Sequence, residues 1–422
     1  MGKKRVFIIH NGCQRRALDV SKLVNYFQLN NCAVTRLPQR ADFIVFVTCG
    51  FIASKEDECF EMIRSLKECR GELIVAGCLP ATASKKLAGV FQGVTIVTKN
   101  LSDIDKVFRD FKVKFSTLRD ANVINRGFYA RSGSSWSEPP AGLQLAKDFL
   151  SGSFSGNMRR TVDAARNRIG RIFSQKPAEP LRCSLRISSG CRGKCSYCII
   201  RNAIGALKSK ELHICLEEYK QLLEEGYESF GFVADDAGAY GMDIGSSFAQ
   251  LLETLSGADH DFNVEWRIHH LHPEWLVKYE DVILPKIREG KITWILSAIQ
   301  SGSSRILGLM NRYSDTGKIG DVLKACRAAG AHLKLTTNVI AGFPGETDAD
   351  FLSTLRFIKE VHFDLVYLFS YCDNADALSF KLGGKIGAGI IEDRLHLAKN
   401  MLRGEGIKYF TDYNHSPPPG LV

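Results

Sequence analysis

The sequence lacks any long apolar run. No stretch approaches the ~18 consecutive apolar residues that a membrane-spanning helix needs. The first ten residues, Met1–His10, carry only a short apolar run, which is too short for a signal peptide and continues directly into a predicted strand. We therefore expect no membrane association and a cytoplasmic location.

The sequence also lacks an even number of cysteines. Its thirteen cysteines cannot all pair, and their grouping favours metal binding in a reducing cytoplasm over a disulfide framework.

Hydrophobic residues make up 45% and charged residues 24%, as in ordinary globular proteins, and 422 residues are enough for two or three domains. The net charge of +10 indicates a polyanionic partner such as RNA or the ribosome.

Three cysteines, Cys191, Cys195 and Cys198, stand at C-x3-C-x2-C spacing just after a strand-like run, and we call them the loop triad. The loop lacks the second C-x2-C pair or the histidines of most zinc sites, so it favours an iron–sulfur cluster. A four-iron cluster held by three cysteines leaves one iron open for a substrate or cofactor. Gly190 and Gly193 give the loop the backbone freedom to wrap a bulky group. The plainer alternative is three unrelated thiols.

Strand and helix patterns alternate in both halves of the chain, which predicts an α/β protein. Residues 1–112 form a Rossmann-like parallel domain, and residues 181–415 form a second domain of six βα units, a partial barrel. Residues 113–180 break the pattern as a basic insertion or linker. The predicted strands are Val6–His10, Phe43–Val47, Leu73–Ala76 and Val94–Val97, then Leu185–Ser188, Ser229–Ala234, Asn263–His269, Ile292–Ile299, Leu333–Ile340 and Leu365–Ser370.

The insertion contains two recognisable segments. Ser132–Pro140 predicts a turn-rich loop. Asn157–Phe173 predicts an amphipathic helix whose polar face is crowded with arginine. Such a helix could bind phosphates or an acidic peptide, or it could present a solvated face while bridging two domains.

Three further cysteines follow strands of the first domain. Cys13, Cys49 and Cys78, which we call the N-terminal triad, each come at or shortly after the end of a predicted strand. Ligands of open parallel sheets bind beyond the carboxyl ends of the strands, so these thiols can converge although they are far apart in sequence. A second three-cysteine cluster is the favoured interpretation. The alternative is that they are buried cysteines acting as small hydrophobes.

The loop triad resembles the cluster motif of the radical S-adenosylmethionine (SAM) superfamily, including the aromatic residue before the last cysteine, here Tyr197. The resemblance implies that the open iron binds SAM and that the reduced cluster cleaves it to a 5′-deoxyadenosyl radical. It makes the loop triad catalytic. It also implies SAM contacts at strand ends of the barrel, namely Tyr197, Asp235, Arg267, Gln300, Ser301, Gly342 and Glu346.

Several motifs resemble those of the methylthiotransferases, radical SAM enzymes that modify tRNA adenosine or an aspartate of a ribosomal protein. They are Gly12-Cys13-Gln14, Thr48-Cys49-Gly50-Phe51-Ile52, Ala76-Gly77-Cys78-Leu79-Pro80, Gln300-Ser301-Gly302-Ser303 with Leu309-Met310-Asn311-Arg312, and Ile340-Ala341-Gly342-Phe343-Pro344-Gly345-Glu346. The resemblance implies that the N-terminal triad ligates an auxiliary cluster, which gives two 4Fe-4S clusters and SAM as cofactors. One SAM would methylate a sulfur, and a second would generate the radical.

The chain departs from this family at three places. Asp235 and Asp236 stand where glutamine and asparagine are common, the insertion is longer than usual, and the sixth strand lacks the usual turn. We also expect no room for the small all-β TRAM domain that members usually carry at the C-terminus. These departures concern the substrate, while the cluster cysteines are intact.

The sequence therefore leaves two alternatives for the substrate, a protein and a tRNA. Thr48–Ile52 and the missing tail domain favour a protein or peptide residue, and Gln300–Ser303 with the basic charge favours tRNA adenosine; we lean to protein. A reducing partner such as flavodoxin or ferredoxin is implied. The alternatives are a peptide-modifying enzyme whose auxiliary cluster only relays electrons, a catalytically silent RNA- or peptide-binding relative, and a structural zinc protein.

Overall fold

The computed structural model describes residues 3–124, 130–131 and 180–411. The N-terminal domain contains the strands β1 (Arg5–His10), β2 (Ala33–Thr35), β3 (Phe43–Thr48), β4 (Glu72–Gly77), β5 (Val94–Val97) and β6 (Ala130–Arg131). They form one parallel sheet in the order β2-β1-β3-β4-β5, with β6 beside the end of β1. This is a doubly wound order whose direction reverses between β1 and β3. All four predicted strands are present, and β2 and β6 join them.

Both faces of this sheet are buried, because neighbouring residues of each strand point to opposite sides. On β1, Val6 and Ile8 pack on one face, and Phe7 and Ile9 pack on the other. The helices of this domain are α1 (Gln14–Leu29), α2 (Ala53–Lys67), α3 (Leu79–Thr82), α4 (Ser84–Val90) and α5 (Ile104–Val107), with 3-10 turns at Pro38–Arg40, Thr98–Asp103 and Phe115–Thr117.

Two helical segments of this domain are interrupted early. Helices α3 and α4 are separated at Ala83, whose backbone angles (φ −139°, ψ 40°) are not helical. Helix α5 ends at Val107, because Phe108 leaves helical geometry (φ −107°, ψ 62°) and packs among Tyr26, Phe27 and Phe111. Aromatic packing outweighs local helix propensity here.

The second domain contains a seven-stranded parallel sheet. Its strands are β7 (Arg182–Arg186), β10 (Ser229–Val233), β11 (Glu265–Ile268), β12 (Ile292–Leu296), β13 (Lys334–Ala341), β14 (Leu365–Ser370) and β15 (Lys408–Thr411), while β8 (Ser188–Ser189) and β9 (Lys208–Ser209) form a separate antiparallel pair. The sheet runs in chain order from β7 to β15. The six predicted strands are confirmed as a partial barrel, and β15 extends it by one edge strand.

Helices cover the outside of this sheet. Cys183, Leu185 and Ile187 of the first strand region point into the core shared with these helices. The helices are α6 (Ile200–Ile204), α7 (Leu212–Glu224), α8 (Phe248–Ser256), α9 (Pro273–Lys278), α10 (Glu280–Arg288), α11 (Ser304–Leu309), α12 (Thr316–Ala329), α13 (Asp348–Val361) and α14 (Ala388–Gly404), with 3-10 turns at Ala237–Ala239 and Leu378–Lys381. Within the described ranges, no helix combines the length and apolar character that crossing a bilayer requires.

Polar contacts join the two domains. Arg186 of β7 donates to Asp19 of α1 at 2.8 Å, and Gln14 Nε2 donates to Ser184 Oγ at 2.9 Å. The beginning of the predicted insertion belongs to this junction, because Asp120 lies 3.3 Å from Lys22 and 3.4 Å from Lys210, one lysine from each domain. The loop predicted at Ser132–Pro140 and the arginine-rich helix predicted at Asn157–Phe173 lie outside the described residues.

Candidate active site at the domain junction

The N-terminal triad lies at the carboxyl edge of the sheet, as its positions in the sequence predict. Cys13 immediately precedes α1, and Cys49 and Cys78 directly follow the adjacent strands β3 and β4. The three thiols are close enough that the charge of one raises the pKa of the others. They surround the point where the strand order reverses, which is where open α/β sheets bind their ligands.

Glycine makes the close approach of Cys78 possible. Gly77 has a φ of +108°, and a Cβ there would lie 2.4 Å from the carbonyl oxygen of Thr48. Only glycine fits that position, because other residues resist a positive φ and the strands are in contact. The chain can therefore turn at the end of β4 and hold Cys78 beside Cys49.

Two arginines give the N-terminal triad a positive surrounding. Burial disfavours the Cys13 thiolate, but the guanidinium groups of Arg15 and Arg16 outweigh it and lower the pKa of Cys13. Burial raises the pKa of Cys49 and Cys78, and at Cys78 Arg16 opposes that rise. Nearby cations are the environment in which thiolates are formed and held as metal ligands.

The loop triad lies between β8 and α6. Gly190 precedes it with a φ of +75°, and a Cβ there would lie 1.9 Å from the carbonyl oxygen of Ala206. A Cβ on Gly193 would lie 3.2 Å from Cys191 Sγ and 3.9 Å from Cys195 Sγ, so those sulfurs are at most about 7.1 Å apart. The backbone N–H of Gly193 also donates to Cys191 Sγ at 3.2 Å. The loop is thus shaped as a cradle that a side chain at Gly193 would fill.

Both triads consist of thiols, which are the usual ligands of iron in iron–sulfur clusters. Among the described residues, no group of three or more His, Cys, Asp or Glu side chains is arranged to hold a single metal ion. Three thiolates on one zinc would lie about 3.8 Å apart, given a Zn–S distance of ~2.3 Å, whereas a four-iron cluster takes each cysteine on a different iron.

An ion pair and two hydrogen bonds connect residues that lie beside the two triads. Arg15 Nε lies 3.0 Å from Asp235 Oδ1, and Arg15 Nη1 donates to the carbonyl oxygen of Ala234 at 3.1 Å. The other carboxylate oxygen, Asp235 Oδ2, accepts from the backbone N–H of Gly190 at 2.8 Å. Asp235, predicted as a SAM contact, is thus engaged with protein groups and fixes the position of one triad relative to the other.

The next carboxylate, Asp236, has a raised pKa. Its Oδ1 accepts from Trp275 Nε1 at 2.9 Å, and it lies close enough to Cys191 to raise the pKa of that thiol. Burial, followed by the charge of Glu274, raises the pKa of Asp236 to about 7. A buried carboxyl with such a pKa can accept or donate a proton near neutrality beside the loop triad.

Three of the predicted SAM contacts are buried on the inner side of the barrel. Arg267 stacks over the Trp294 ring at 4.9 Å, and its buried Nη2 has no hydrogen-bond partner among the described residues. Burial and the nearby Arg182 lower the pKa of Arg267 to about 10. Gln300 has a φ of +67° and a buried Oε1 without a hydrogen-bond partner in the described part of the chain. Ser301 instead contacts Thr354 Oγ1 at 3.2 Å. Arg267 and Gln300 thus have polar atoms available for a ligand.

Gly342 and Glu346 form the turn after β13. The N–H of Gly342 donates to Glu346 Oε2 at 2.8 Å, and Arg394 of α14 donates to the same oxygen at 2.8 Å. Burial raises the pKa of Glu346 to about 7, although both donors favour the carboxylate. Glu346 Oε1 has no hydrogen-bond partner among the described residues. This pair therefore shapes the turn and leaves one carboxylate oxygen for a ligand.

We expect Gly342→Ala to destabilise the barrel domain. Gly342 has a φ of +84°, which costs an L-residue about 1–2 kcal/mol, and a Cβ would lie 2.4 Å from Ile391 Cγ1. That overlap adds roughly 1–3 kcal/mol. Urea unfolding of the apoprotein measures the change, and Gly389→Ala is the matched control because a Cβ there meets nothing within 4 Å. Equal midpoints for the two variants would contradict this account.

Some groups at the site were not predicted as site residues. Arg15 and Arg16 follow Cys13 directly, so their proximity to it was a usable signal. Arg312 donates to Cys195 Sγ at 3.4 Å and to Tyr197 Oη at 3.3 Å. Arg312 was visible only as part of the Leu309–Arg312 motif, because its distance from the loop triad in sequence conceals the contact.

Comparison with known families agrees with both halves of this site. Residues 185–358 match the radical SAM superfamily, and residues 5–99 match the uncharacterized protein family UPF0004. The chain is 28% identical to the ribosomal protein uS12 methylthiotransferase RimO of Syntrophomonas wolfei, over 85% of this chain and 74% of that protein. It is 29% identical to RimO of Thermosipho melanesiensis, over 91% of this chain and 79% of that protein.

A solved structure shows the same fold. The radical S-adenosylmethionine methyltransferase TsrM from Kitasatospora setae superposes with a TM-score of 0.56 at 11% identity, covering 87% of this chain and 75% of that chain. The N-terminal and barrel family matches lie on one chain in the same order as the two cysteine triads. The chain belongs to the methylthiotransferase family of radical SAM enzymes, whose cofactors are SAM and two 4Fe-4S clusters.

Proposed function

We propose that this enzyme inserts a methylthio group at an unactivated C–H bond of a protein residue, with a ribosomal protein as the first candidate. The observation that supports the proposal is the bridge Arg15–Asp235–Gly190, which joins the segment that follows Cys13 to the residue that precedes Cys191. Methylthio insertion needs a radical source and a sulfur source beside the same substrate carbon. A site between two cysteine triads meets that requirement.

We assign the clusters to named ligands. The loop triad would hold the SAM-binding cluster, and the N-terminal triad would hold the auxiliary cluster. When bound, these groups and SAM supply the radical and methylthio chemistry. Cys13 and Cys198, one from each triad, are exposed. We infer that substrate reaches the site from the side on which these two cysteines are exposed.

The remaining residues position and shield the reactants. Gln300, Arg267 and Glu346 present buried polar atoms to the inner side of the barrel, where SAM or substrate would meet them. Asp236 is placed to exchange a proton near neutral pH. Phe51, next but one to Cys49, packs edge-on against Phe369 of the barrel at 5.8 Å, so an apolar contact joins the two domains there.

A protein target is favoured over tRNA by the relatives. The two described above are both named as methylthiotransferases of ribosomal protein uS12. The net charge of +10 suits a ribosome as well as a free tRNA, so charge does not separate the two. The proposal also requires a one-electron donor, for which a flavodoxin or ferredoxin is suitable, and a cytoplasmic location beside the ribosomes.

Mass spectrometry tests the proposal. The anaerobically reconstituted enzyme is incubated with SAM, a reductant, and either ribosomes or tRNA from cells that lack methylthiotransferases. We expect one ribosomal protein to gain CH2S, the net change when a methylthio group replaces hydrogen. The Cys191→Ala protein is the matched control, because it should give no gain.

Each other outcome identifies a different function. A methylthio group on tRNA adenosine would overturn the choice of target. Release of 5′-deoxyadenosine without any methylthio product would favour an auxiliary cluster that only relays electrons. No 5′-deoxyadenosine at all would favour a catalytically silent binding protein.

A further inference from the structure

Arg312 makes a direct contact with a cysteine of the loop triad. Its Nη1 donates to Cys195 Sγ at 3.4 Å and to Tyr197 Oη at 3.3 Å, while Nη2 donates to the carbonyl oxygen of Ala298. No other arginine or lysine of the described residues donates a hydrogen bond to a sulfur of this triad. The guanidinium is therefore fixed by three acceptors rather than mobile at the surface.

The segment that carries Arg312 is clamped onto the cysteine loop. Ser196 donates its backbone N–H to the carbonyl oxygen of Met310 and its hydroxyl to that of Leu309, both at 2.9 Å. Asn311, at a φ of +55°, donates Nδ2 to the carbonyl oxygen of Lys194 at 2.9 Å. A non-glycine residue in the left-handed region is held there by its surroundings. The turn thus holds Arg312 in one position against the loop.

Arginine stays protonated throughout the ordinary pH range, so Arg312 keeps its positive charge beside Cys195. A permanent cation thus lies beside one ligand of the predicted SAM-binding cluster.

We propose that Arg312 is a positioning residue that sets the reduction potential of the cluster held by the loop triad. Reduction adds one negative charge, and a cation that hydrogen-bonds a ligand sulfur stabilises the reduced state more than the oxidised one. Hydrogen bonds to the sulfurs, net charge and solvent exposure are the factors by which proteins tune such potentials. Arg312 supplies the first two where solvent screens little.

Redox titration followed by electron paramagnetic resonance tests this inference in the reconstituted full-length protein without substrate. The signal that changes on adding SAM identifies the cluster of the loop triad. In Arg312→Gln we expect the midpoint to fall so that, at a fixed potential, the ratio of reduced to oxidised cluster drops about tenfold or more, equivalent to ~59 mV for one electron. Iron content is measured alongside.

Arg192→Gln is the matched control. Arg192 belongs to the same cysteine loop, but its side chain is exposed and its Nη1 points to Met242 Sδ at 3.4 Å. Removing that charge should change the ratio of reduced to oxidised cluster much less, because water and salt screen it. Arg312→Lys keeps the positive charge but loses the planar guanidinium and its fixed N–H donors. Its midpoint potential should therefore lie between those of the wild type and Arg312→Gln.

Two results would overturn the inference. The first is an Arg312→Gln protein that has a normal iron content and the wild-type midpoint potential, which would leave Arg312 as a packing residue only. The second applies if Arg312→Gln does not hold iron: a wild-type midpoint potential in Arg312→Lys would then contradict the inference. Neither measurement depends on the identity of the substrate, so failure here is distinguishable from failure of the proposed function.

Discussion

Replacing Cys13, Cys49 and Cys78 together with alanine is expected to remove about half of the iron from the reconstituted enzyme while SAM cleavage continues. The three thiols meet at the end of one sheet, and the loop triad obtains its ligands from a separate loop. Four-iron clusters need their thiolate ligands, so one cluster should be lost and the other kept. Iron analysis and release of 5′-deoxyadenosine measure the two halves of this prediction.

A second triple variant controls for the loss of thiols. Cys32, Cys69 and Cys326 lie away from both triads, and burial raises the pKa of all three. Changing them to alanine should keep the full iron content and the methylthio product. Full iron in the N-terminal variant would show that its triad holds no cluster. A methylthio product from that variant would show that the sulfur comes from elsewhere.

Much of the fold could be predicted because its strands are strongly apolar. The predicted bounds of β14, Leu365–Ser370, coincide with those in the structure. Helix α13 begins at a capping box in which Thr347 and Asp350 satisfy each other's backbone N–H groups, a signal that sequence shows directly. Among the strands that escaped prediction, β2 and β15 are short and at most partly buried, so they carry little apolar pattern.

The cysteines of the site could be predicted for a different reason. Each member of the N-terminal triad follows a strand end, and topology alone brings such positions together. The resemblance to the methylthiotransferases covered the same residues. Side-chain partners were not predictable, because they depend on how the domains dock. Asp235 illustrates this: its neighbours Arg15 and Gly190 come from both domains.

The charged partners of the two cysteine triads could not be read from the sequence pattern. The position of Arg16 after Cys13 indicates that the two residues are close, but it does not show that Arg16 pairs with Asp19 at 3.1 Å or that it also acts on Cys78. Arg312 contacts the loop triad from a segment that is distant in sequence. Each triad therefore has a guanidinium as partner, buried at Arg16 and partly buried at Arg312. Thiolates brought together inside a protein need such compensation, because like charges in a poorly solvated site repel strongly.

Cys191→Ala is expected to abolish 5′-deoxyadenosine release and to remove the other half of the iron. Cys191 lies within a cradle that Gly193 leaves open, and its sulfur accepts the Gly193 N–H at 3.2 Å. With two thiolates left on the loop, the SAM-binding cluster lacks the ligands it needs. Its loss should therefore remove both SAM cleavage and the methylthio product.

Cys183→Ala separates this effect from the general loss of a thiol. Cys183 lies on β7 just before the loop, but it is buried among the helices that cover the barrel. Its replacement should cost some stability as a large-to-small change and leave iron and SAM cleavage at wild-type levels. The two alanine experiments on the triads are complementary, since each should remove half of the iron while only Cys191→Ala stops SAM cleavage. SAM cleavage that persists in Cys191→Ala would refute the assignment of the radical cluster to the loop triad.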